Sequence, residues 1–282
     1  MASNRHGPFS LETFVRNHEG HFMSDKFIKT FGYIAGCLGQ IYERTHGVDH
    51  PTTVGLKQIC TTFQTARMAI RFQGGYCGLL VEFENMKNLS FLGGWKSTGA
   101  KLCLYAGSIS LVQYYILENL AYLGWSAPGW IGKKLKRFGG ADEMGRLSCY
   151  GWGSWCFFDI VSCFYRLQEL GKMEQIVKET YKDGCVSKKE ALAQCVKSRR
   201  SLRYNMIRST LFLIPDLQWC LKPGSKWAIL PEWSIQVMCL VEALLGYYTY
   251  WTGHWTSRPQ LPAPSGDLGN GAKNSALKFL QN

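Results

Sequence analysis

The sequence predicts an all-α fold: a helical membrane-associated bundle with an amphipathic interfacial helix and one or two hydrophobic membrane helices. Three observations predict it. Apolar residues recur at three- and four-residue steps through Thr52 to Gln73. Two longer apolar runs follow, Leu102 to Trp125 and Ile229 to Trp251. The chain of 282 residues carries a formal net charge of +12, although only 18% of its residues are charged. Such a basic balance points to phosphate backbones or anionic lipid head groups as partners. Zinc-finger spacings and aromatic–basic RNA-recognition motifs are absent from the sequence, so lipid is favoured over nucleic acid.

Met1 to Ser10 reads as a loose leader without the apolar core of a signal peptide, and the closing Leu280-Gln281-Asn282 is not the peroxisomal matrix tripeptide. A first helix is expected over Leu11 to Asn17, breaking near Glu19-Gly20. Ser24 is expected to cap the next one. Its stripe is Phe27, Phe31, Ile34, Leu38 and Ile41, with Asp25, Lys26 and Lys29 on the polar side. Gly47 to Pro51 ends it, and Thr52 or Thr53 is expected to cap the amphipathic helix that Gly74-Gly75 closes.

In that helix Leu56, Ile59, Phe63, Ala66 and Ile70 share a face, with Lys57 and Arg71 on a flank. Arg67 falls inside the apolar stripe. Two environments suit such a helix. At a bilayer surface Leu56, Ile59, Phe63 and Ile70 insert while Lys57, Arg67 and Arg71 reach phosphates. In a protein core the same stripe packs on neighbouring helices, and Arg67 needs a carboxylate partner.

Asn85 to Gly99 reads as a turn after another short helix. The run Leu102 to Trp125 has spanning length apart from Glu118-Asn119, and Trp125 and Trp130 suit an interface. Gly132 to Arg146 is a basic, glycine-broken loop in which Lys133, Lys134, Lys136 and Arg137 suit anionic head groups, or are simply solvated. Tyr150 to Tyr165 is aromatic but too short to span comfortably, and it contains Asp159. Arg166 to Arg208 is polar and helical in pattern, interrupted at Asp183-Gly184. Pro215 and Pro223 bracket a linker; Ile229 to Trp251 is the second candidate span, weakened by Glu232 and Glu242. The domain expectation is one helical unit over residues 1–256, amphipathic over 11–100 and hydrophobic with a basic insert over 101–256. A disordered tail over 257–282 follows.

The 11 cysteines never form C-x-x-C and read as reduced, small apolar residues; Cys149, Cys156 and Cys163 would share a helix face. His46 and His50 are separated by Gly47 and followed by Pro51, which makes a turn rather than a metal site. No P-loop, dinucleotide fingerprint or nucleophile elbow is present in the sequence. Catalytic residues, metal ligands and cofactors are therefore not expected.

The order of several short motifs resembles the peroxisomal biogenesis factor 11 family. Asp25-Lys26, Lys29-Thr30 and Tyr33 are similar to its opening D-K-x-x-K-x-x-Q-Y signature, with Gly32 where the glutamine is usual. Arg67 and Arg71 resemble its paired arginines, and Tyr115 to Leu123 the segment before its first interfacial tryptophan. Leu202 to Asn205 with Asp216-Leu217, and Gly246 with Trp251, resemble its late motifs. The likeness spans about residues 11 to 255. It implies a non-enzymatic peroxisomal membrane protein that self-associates, remodels and elongates the membrane, and promotes proliferation and fission. It also implies a dynamin-like fission GTPase and its tail-anchored adaptor as partners, with both termini cytosolic. The charge rule, taken alone, puts the basic segment between the candidate spans in the cytosol and the termini in the lumen. A different class, a pore for small metabolites, draws on Glu118, Asn119, Asp159 and Glu242 in apolar segments.

Overall fold

The computed structural model describes residues 21–89, 92–180, 186–222 and 224–251. Among these residues there is no strand, and six long helices dominate. They are α1 (His21–His46), α2 (Pro51–Asn88), α3 (Thr98–Ser126), α4 (Ala141–Thr180), α5 (Val186–Trp219) and α6 (Glu232–Trp251). Each packs principally on its neighbours in sequence, and α6 returns to pack on α1. The bundle is thus a closed ring of helices around a centre.

Local chemistry explains the ends. Gly47 (φ 94°) ends α1, and Pro51 opens α2. The cap is neither threonine: the His50 ring accepts from the Thr52 backbone N–H at 3.2 Å, and Thr53 Oγ1 donates back to the Gly47 carbonyl at 3.1 Å. Ser24 lies within α1 rather than at its start. Gly74-Gly75 does not stop α2, which continues to Asn88 before Leu89 turns left-handed at φ 53°. Ser97 caps α3, assisted by Glu169 of α4, whose two carboxylate oxygens accept from the Lys96 and Ser97 backbone N–H groups at 2.7 and 3.0 Å. Pro215 falls inside α5, so the expected linker begins a turn later. The expected first helix, the Asp183-Gly184 interruption and the tail lie outside the described residues.

Apolar cores are modest and lie where two or three helices meet. Trp95, Cys163, Leu170 and Leu202 centre one among α3, α4 and α5. Cys149, Cys156 and Cys163 do line one side of α4, and burial pushes their thiols up, Cys163 to about 12. Glycines allow close helix contact. A Cβ on Gly151 of α4 would lie 2.9 Å from the Ser110 carbonyl and the Tyr114 backbone nitrogen of α3. Gly151→Ala is therefore expected to destabilise by about 1–3 kcal/mol, because backbone cannot yield as a side chain does. Urea denaturation checks this, and an unchanged midpoint would refute the close contact.

Two expectations about the membrane change. No helix of the described residues is long and apolar enough to cross a membrane, so neither Leu102 to Trp125 nor Ile229 to Trp251 qualifies as a span. The reason is local: serines, glycines and Glu118 interrupt α3, and Glu232 with Glu242 dilutes α6. The second change concerns polarity. α1 turns Lys26 and Lys29 inward, at 4% and 1% exposure, and presents Phe31, Ile34, Leu38 and Ile41 outward. α6 likewise buries Glu242 and Thr249 and exposes Trp233, Val237, Val241, Leu244 and Tyr248. Both helices thus bury charged side chains beside a small apolar core of Tyr33, Ile235 and Cys239, and turn a second apolar stripe outward.

Candidate functional site

At the centre of the ring is a cavity of about 740 Å³ to which all six helices contribute. α1 supplies Asp25, Lys26, Lys29 and Tyr33 to its wall; α2 supplies Arg67 and Arg71. Glu118 comes from α3, Trp152 from α4, Arg208, Phe212 and Asp216 from α5, and Ile235 from α6. Helical spacing brings these residues to one side of each element: Lys26, Lys29 and Tyr33 on α1, Arg208, Phe212 and Asp216 on α5.

Glu242 is the electrostatic hub. Its carboxylate is fully buried and receives Lys26 Nζ at 2.7 Å, Lys29 Nζ, and Arg208 Nε and Nη2 at 3.1 Å each. Burial alone would raise its pKa, but the three cations hold the carboxyl well below the usual range. The lysines carry the opposite cost. Burial brings Lys26 down to about 7 despite Glu242, and lowers Lys29 too. Lys29 Nζ also lies 3.8 Å from the centre of the Phe212 ring, a cation–π distance.

Arg67 has the carboxylate partner that a core position demands. Its Nε donates to Asp25 Oδ1 at 3.0 Å and its Nη1 to Gln64 Oε1 at 2.5 Å. Burial pushes the Asp25 carboxyl up, and Arg67 with Arg71 more than offsets it, leaving it below its ordinary value. Arg71 Nη1 bridges to Glu118 at 2.9 Å and to the Tyr114 hydroxyl at 3.0 Å. Its Nε is buried without a hydrogen-bond partner, while 32% of the side-chain surface stays open on the cavity wall. Lys57 is apart from this group, half-buried and paired with Glu43 at 2.8 Å.

The apolar stripe of α2 is divided. Phe63 and Leu56 pack against α1 at Gly32 and Gly39, where a Cβ would stand 3.0 and 3.4 Å from theirs. Ile70 lines the cavity, and Ile59 is exposed at 47%. Gly32, in the place of the usual glutamine, is what lets α2 approach so closely.

Asp216 stands differently. It is 2% exposed, its Oδ2 has no hydrogen-bond partner, and burial raises its pKa to about 8 against a lowering contribution from the Cys149 thiol. A carboxyl raised in this way binds a proton in the folded state where the unfolded chain binds none. Stability from this group is therefore full below pH 4 and declines as pH rises towards about 8. Asp216→Asn should gain on the parent as pH rises, by about 3–4 kcal/mol between pH 5 and 8. Urea titrations at both pH values test this; a pH-independent difference would refute the raised pKa.

The basic turn is a second, separate feature. Between α3 and α4 the chain makes short helical turns over Pro128–Gly132, Lys133–Leu135 and Lys136–Phe138, then Gly139 and Gly140 at φ 96° and 92°. Leu135 is buried with Ala121 and Met144 and anchors the turn. Lys133, Lys134, Lys136 and Arg137 are all exposed, beside exposed Trp130 and Phe138. Lys134 Nζ is 5.6 Å from the Trp130 ring centre, and the Arg137 guanidinium 4.7 Å from that of Phe138.

Sequence reading found the cations of the cavity but not its walls. Trp152 and Phe212 were indistinguishable from other aromatics in the chain. Glu118, Asp159 and Glu242 did signal themselves as carboxylates in apolar runs, and each is paired: Glu118 with Arg71, Asp159 with Arg166 at 2.9 Å, Glu242 with its three cations. Among the described residues no group of three His, Cys, Asp or Glu side chains could hold a metal.

No curated protein and no solved structure matches this chain. The family model of peroxisomal biogenesis factor 11 matches residues 11–251. The residues that carry the resemblance converge on the cavity: Asp25, Lys26, Lys29, Tyr33, Arg67, Arg71 and Asp216 line it. Gly246 of α6 packs behind that wall, where a Cβ would lie 3.4 Å from Lys26 Cε. The chain belongs to the peroxisomal biogenesis factor 11 family, a family of peroxisome biogenesis factors and not of enzymes.

Proposed function

We propose that this chain shapes the peroxisomal membrane, elongating it and so promoting proliferation and fission. The observation that carries this reading is the outward apolar stripe on α1 and α6. Helices that bury lysine and glutamate and expose Phe31, Leu38, Val237 and Val241 are suited to an apolar surround. The exposed basic turn supplies the complementary contact with anionic lipid phosphates. Apolar stripes entering one leaflet expand it relative to the other, and self-association of many copies adds the small individual contributions. Recruitment of the dynamin-like fission GTPase through its tail-anchored adaptor completes the proposal.

The α2 stripe has a conditional part in it. Ile59 is available in the closed ring, whereas insertion of Leu56, Phe63 and Ile70 would require α2 to leave α1. Arg67 and Arg71 would then exchange Asp25 and Glu118 for phosphate. Breaking buried pairs costs several kcal/mol each, so the outward stripes of α1 and α6 act first.

Tubulation of anionic liposomes by the purified full chain tests the reading. Leu38→Glu with Val241→Glu, both at exposed positions, should leave the fold intact and abolish tubulation. Undiminished tubulation by that variant would defeat the proposal. A pore reading draws on the central cavity, and reproducible unitary conductance in planar bilayers would favour it.

A further inference from the structure

Five tryptophans are exposed among the described residues: Trp125, Trp130, Trp219, Trp227 and Trp233. All five stand at one end of the ring, where α1, α3 and α5 finish and α2, α4 and α6 begin. Contacts hold this end together. A Cβ on Gly124 of α3 would lie 2.7 Å from that of Ala141 of α4, Arg146 of α4 donates to the Cys220 carbonyl just beyond α5 at 2.8 Å, and Arg44 of α1 reaches the Trp233 ring of α6. The other described tryptophans are covered or partly covered: Trp95 is 1% exposed, and Trp152, Trp155 and Trp251 are intermediate.

Two turns form the tip. One is the basic turn between α3 and α4, and the other joins α5 to α6 over residues 220–231. The Gln218 side chain clamps the second at its neck, donating to the Leu230 carbonyl and accepting from the Leu230 N–H at 2.8 Å each. Beyond that clamp Trp227 and Ile229 are 69% and 79% exposed, more than any other large apolar side chain among the described residues. The two turns carry Lys133, Lys134, Lys136, Arg137, Lys222 and Lys226, all exposed, and no carboxylate. Exposed carboxylates on the flanking helix ends are fewer, Asp49, Asp142 and Glu232, and Arg44 adds a cation. Glu43 and Glu143 are paired with Lys57 and Arg146. Lys134, Lys226 and Arg44 lie 5.6, 5.4 and 5.2 Å from the ring centres of Trp130, Trp227 and Trp233, so exposed rings and cations come side by side.

We propose that this end, the 220–231 turn together with the basic turn, is one docking platform that seats the ring end-on on an anionic lipid surface. The inference rests on the membrane-shaping reading and adds to it the orientation and the second turn. The rings and Ile229 enter the boundary between head groups and acyl chains, and the adjacent cations meet phosphate. A lipid plane suits this arrangement better than a protein partner, because the rings stand on separate turns around a rim rather than in one central pocket. The outward face of α5 has a matching gradient. Ile207, Ile214 and Leu217 lie towards this end and Lys197 and Arg203 farther off, with ~21 Å between Arg203 and Leu217 at about 1.5 Å per residue. The outward stripes of α1 and α6 start here, at Ile41 and Trp233, so docking by this end delivers them to the leaflet.

Co-sedimentation of the purified full chain with phosphatidylcholine vesicles containing phosphatidylserine tests the platform. Trp227→Ser with Ile229→Ser should weaken binding by about tenfold or more, with an unchanged melting temperature because both side chains are exposed. Lys197→Ala with Arg203→Ala removes charge from the far end and should change binding by less than about twofold. Hydrogen exchange on the vesicle-bound parent should slow in both turns. Equal binding by the Trp227→Ser, Ile229→Ser variant, or unslowed exchange in the 220–231 turn, would overturn the platform and leave membrane shaping through α1 and α6 standing. A parent that binds no vesicle would overturn both. Saturable binding of polyglutamate in preference to vesicles would assign this end to an acidic protein and overturn the lipid platform.

Discussion

Glu242→Gln is expected to cost about 3–5 kcal/mol of stability at neutral pH, the largest effect of any single substitution in the bundle. The change keeps shape and hydrogen-bonding capacity nearly constant and removes only charge. Lys26, Lys29 and Arg208 would then all lose the charged carboxylate that they share. Three helices meet through this carboxylate, so α1, α5 and α6 lose their common tie. Chemical denaturation measures the loss, and a fall in melting temperature on the order of 10 °C should accompany it. Pairing the change with Lys29→Met should recover part of the loss, because one uncompensated cation is removed with it. The sign with pH is also determined. A carboxyl held below its unfolded pKa stabilises above that pKa and loses its contribution as pH falls. The gap between parent and variant should therefore be full at pH 7 and narrow as the solution is acidified below about 4. A variant within 0.5 kcal/mol of the parent, by the rough tolerance of an ordinary surface change, would show that the network does not form.

Replacing Lys133, Lys134, Lys136 and Arg137 together by alanine should weaken binding to anionic vesicles by about a thousandfold at low salt. Each cation near a charged surface contributes about 1 kcal/mol, and every 1.4 kcal/mol is a factor of ten. All four side chains are exposed and Leu135, the buried anchor, is untouched. The fold should survive with its melting temperature nearly unchanged. Raising the ionic strength should shrink the difference, since screening acts on exposed charges first. Vesicle co-sedimentation across a salt series checks both statements. A loss of less than threefold at low salt would mean the turn is merely solvated, and would leave the apolar stripes as the only membrane contact.

The two effects differ because burial differs. The same lysine side chain is a marginal contributor in the exposed turn and a structural necessity beside Glu242. In water the head group is solvated in both bound and free states. In the ring centre it has exchanged water for the Glu242 carboxylate and an aromatic face.

Several elements were legible in the chain because their causes are local. The periodicity of Phe27 to Ile41 and of Leu56 to Ile70 specified α1 and α2, and Gly47 with Pro51 specified the break between them. The basic cluster at Lys133 to Arg137 was visible as charge without compensation. Arg67 was visible as an anomaly, an arginine within an apolar stripe, with two environments that could explain it. Termini were read less well where the decisive partner is distant. The Glu169 carboxylates that complete the α3 cap are contributed from more than seventy residues away. Gly74-Gly75 should have ended α2 by propensity alone, and the helix passes through them.

What the sequence by itself determined was helix identity, charge and family. Those follow from side-chain type and spacing, which are properties of one helix at a time. What only the tertiary structure decided was which side of each helix faces in. Alone, α1 presents an apolar stripe that any soluble protein would bury. The ring turns that stripe outward because Lys26 and Lys29 find Glu242 more than two hundred residues away. Arg67 likewise acquires Asp25, and Asp216 reaches the same cavity wall without a counter-ion. The balance between burying hydrocarbon and pairing buried charge is settled only when all six helices close on one another.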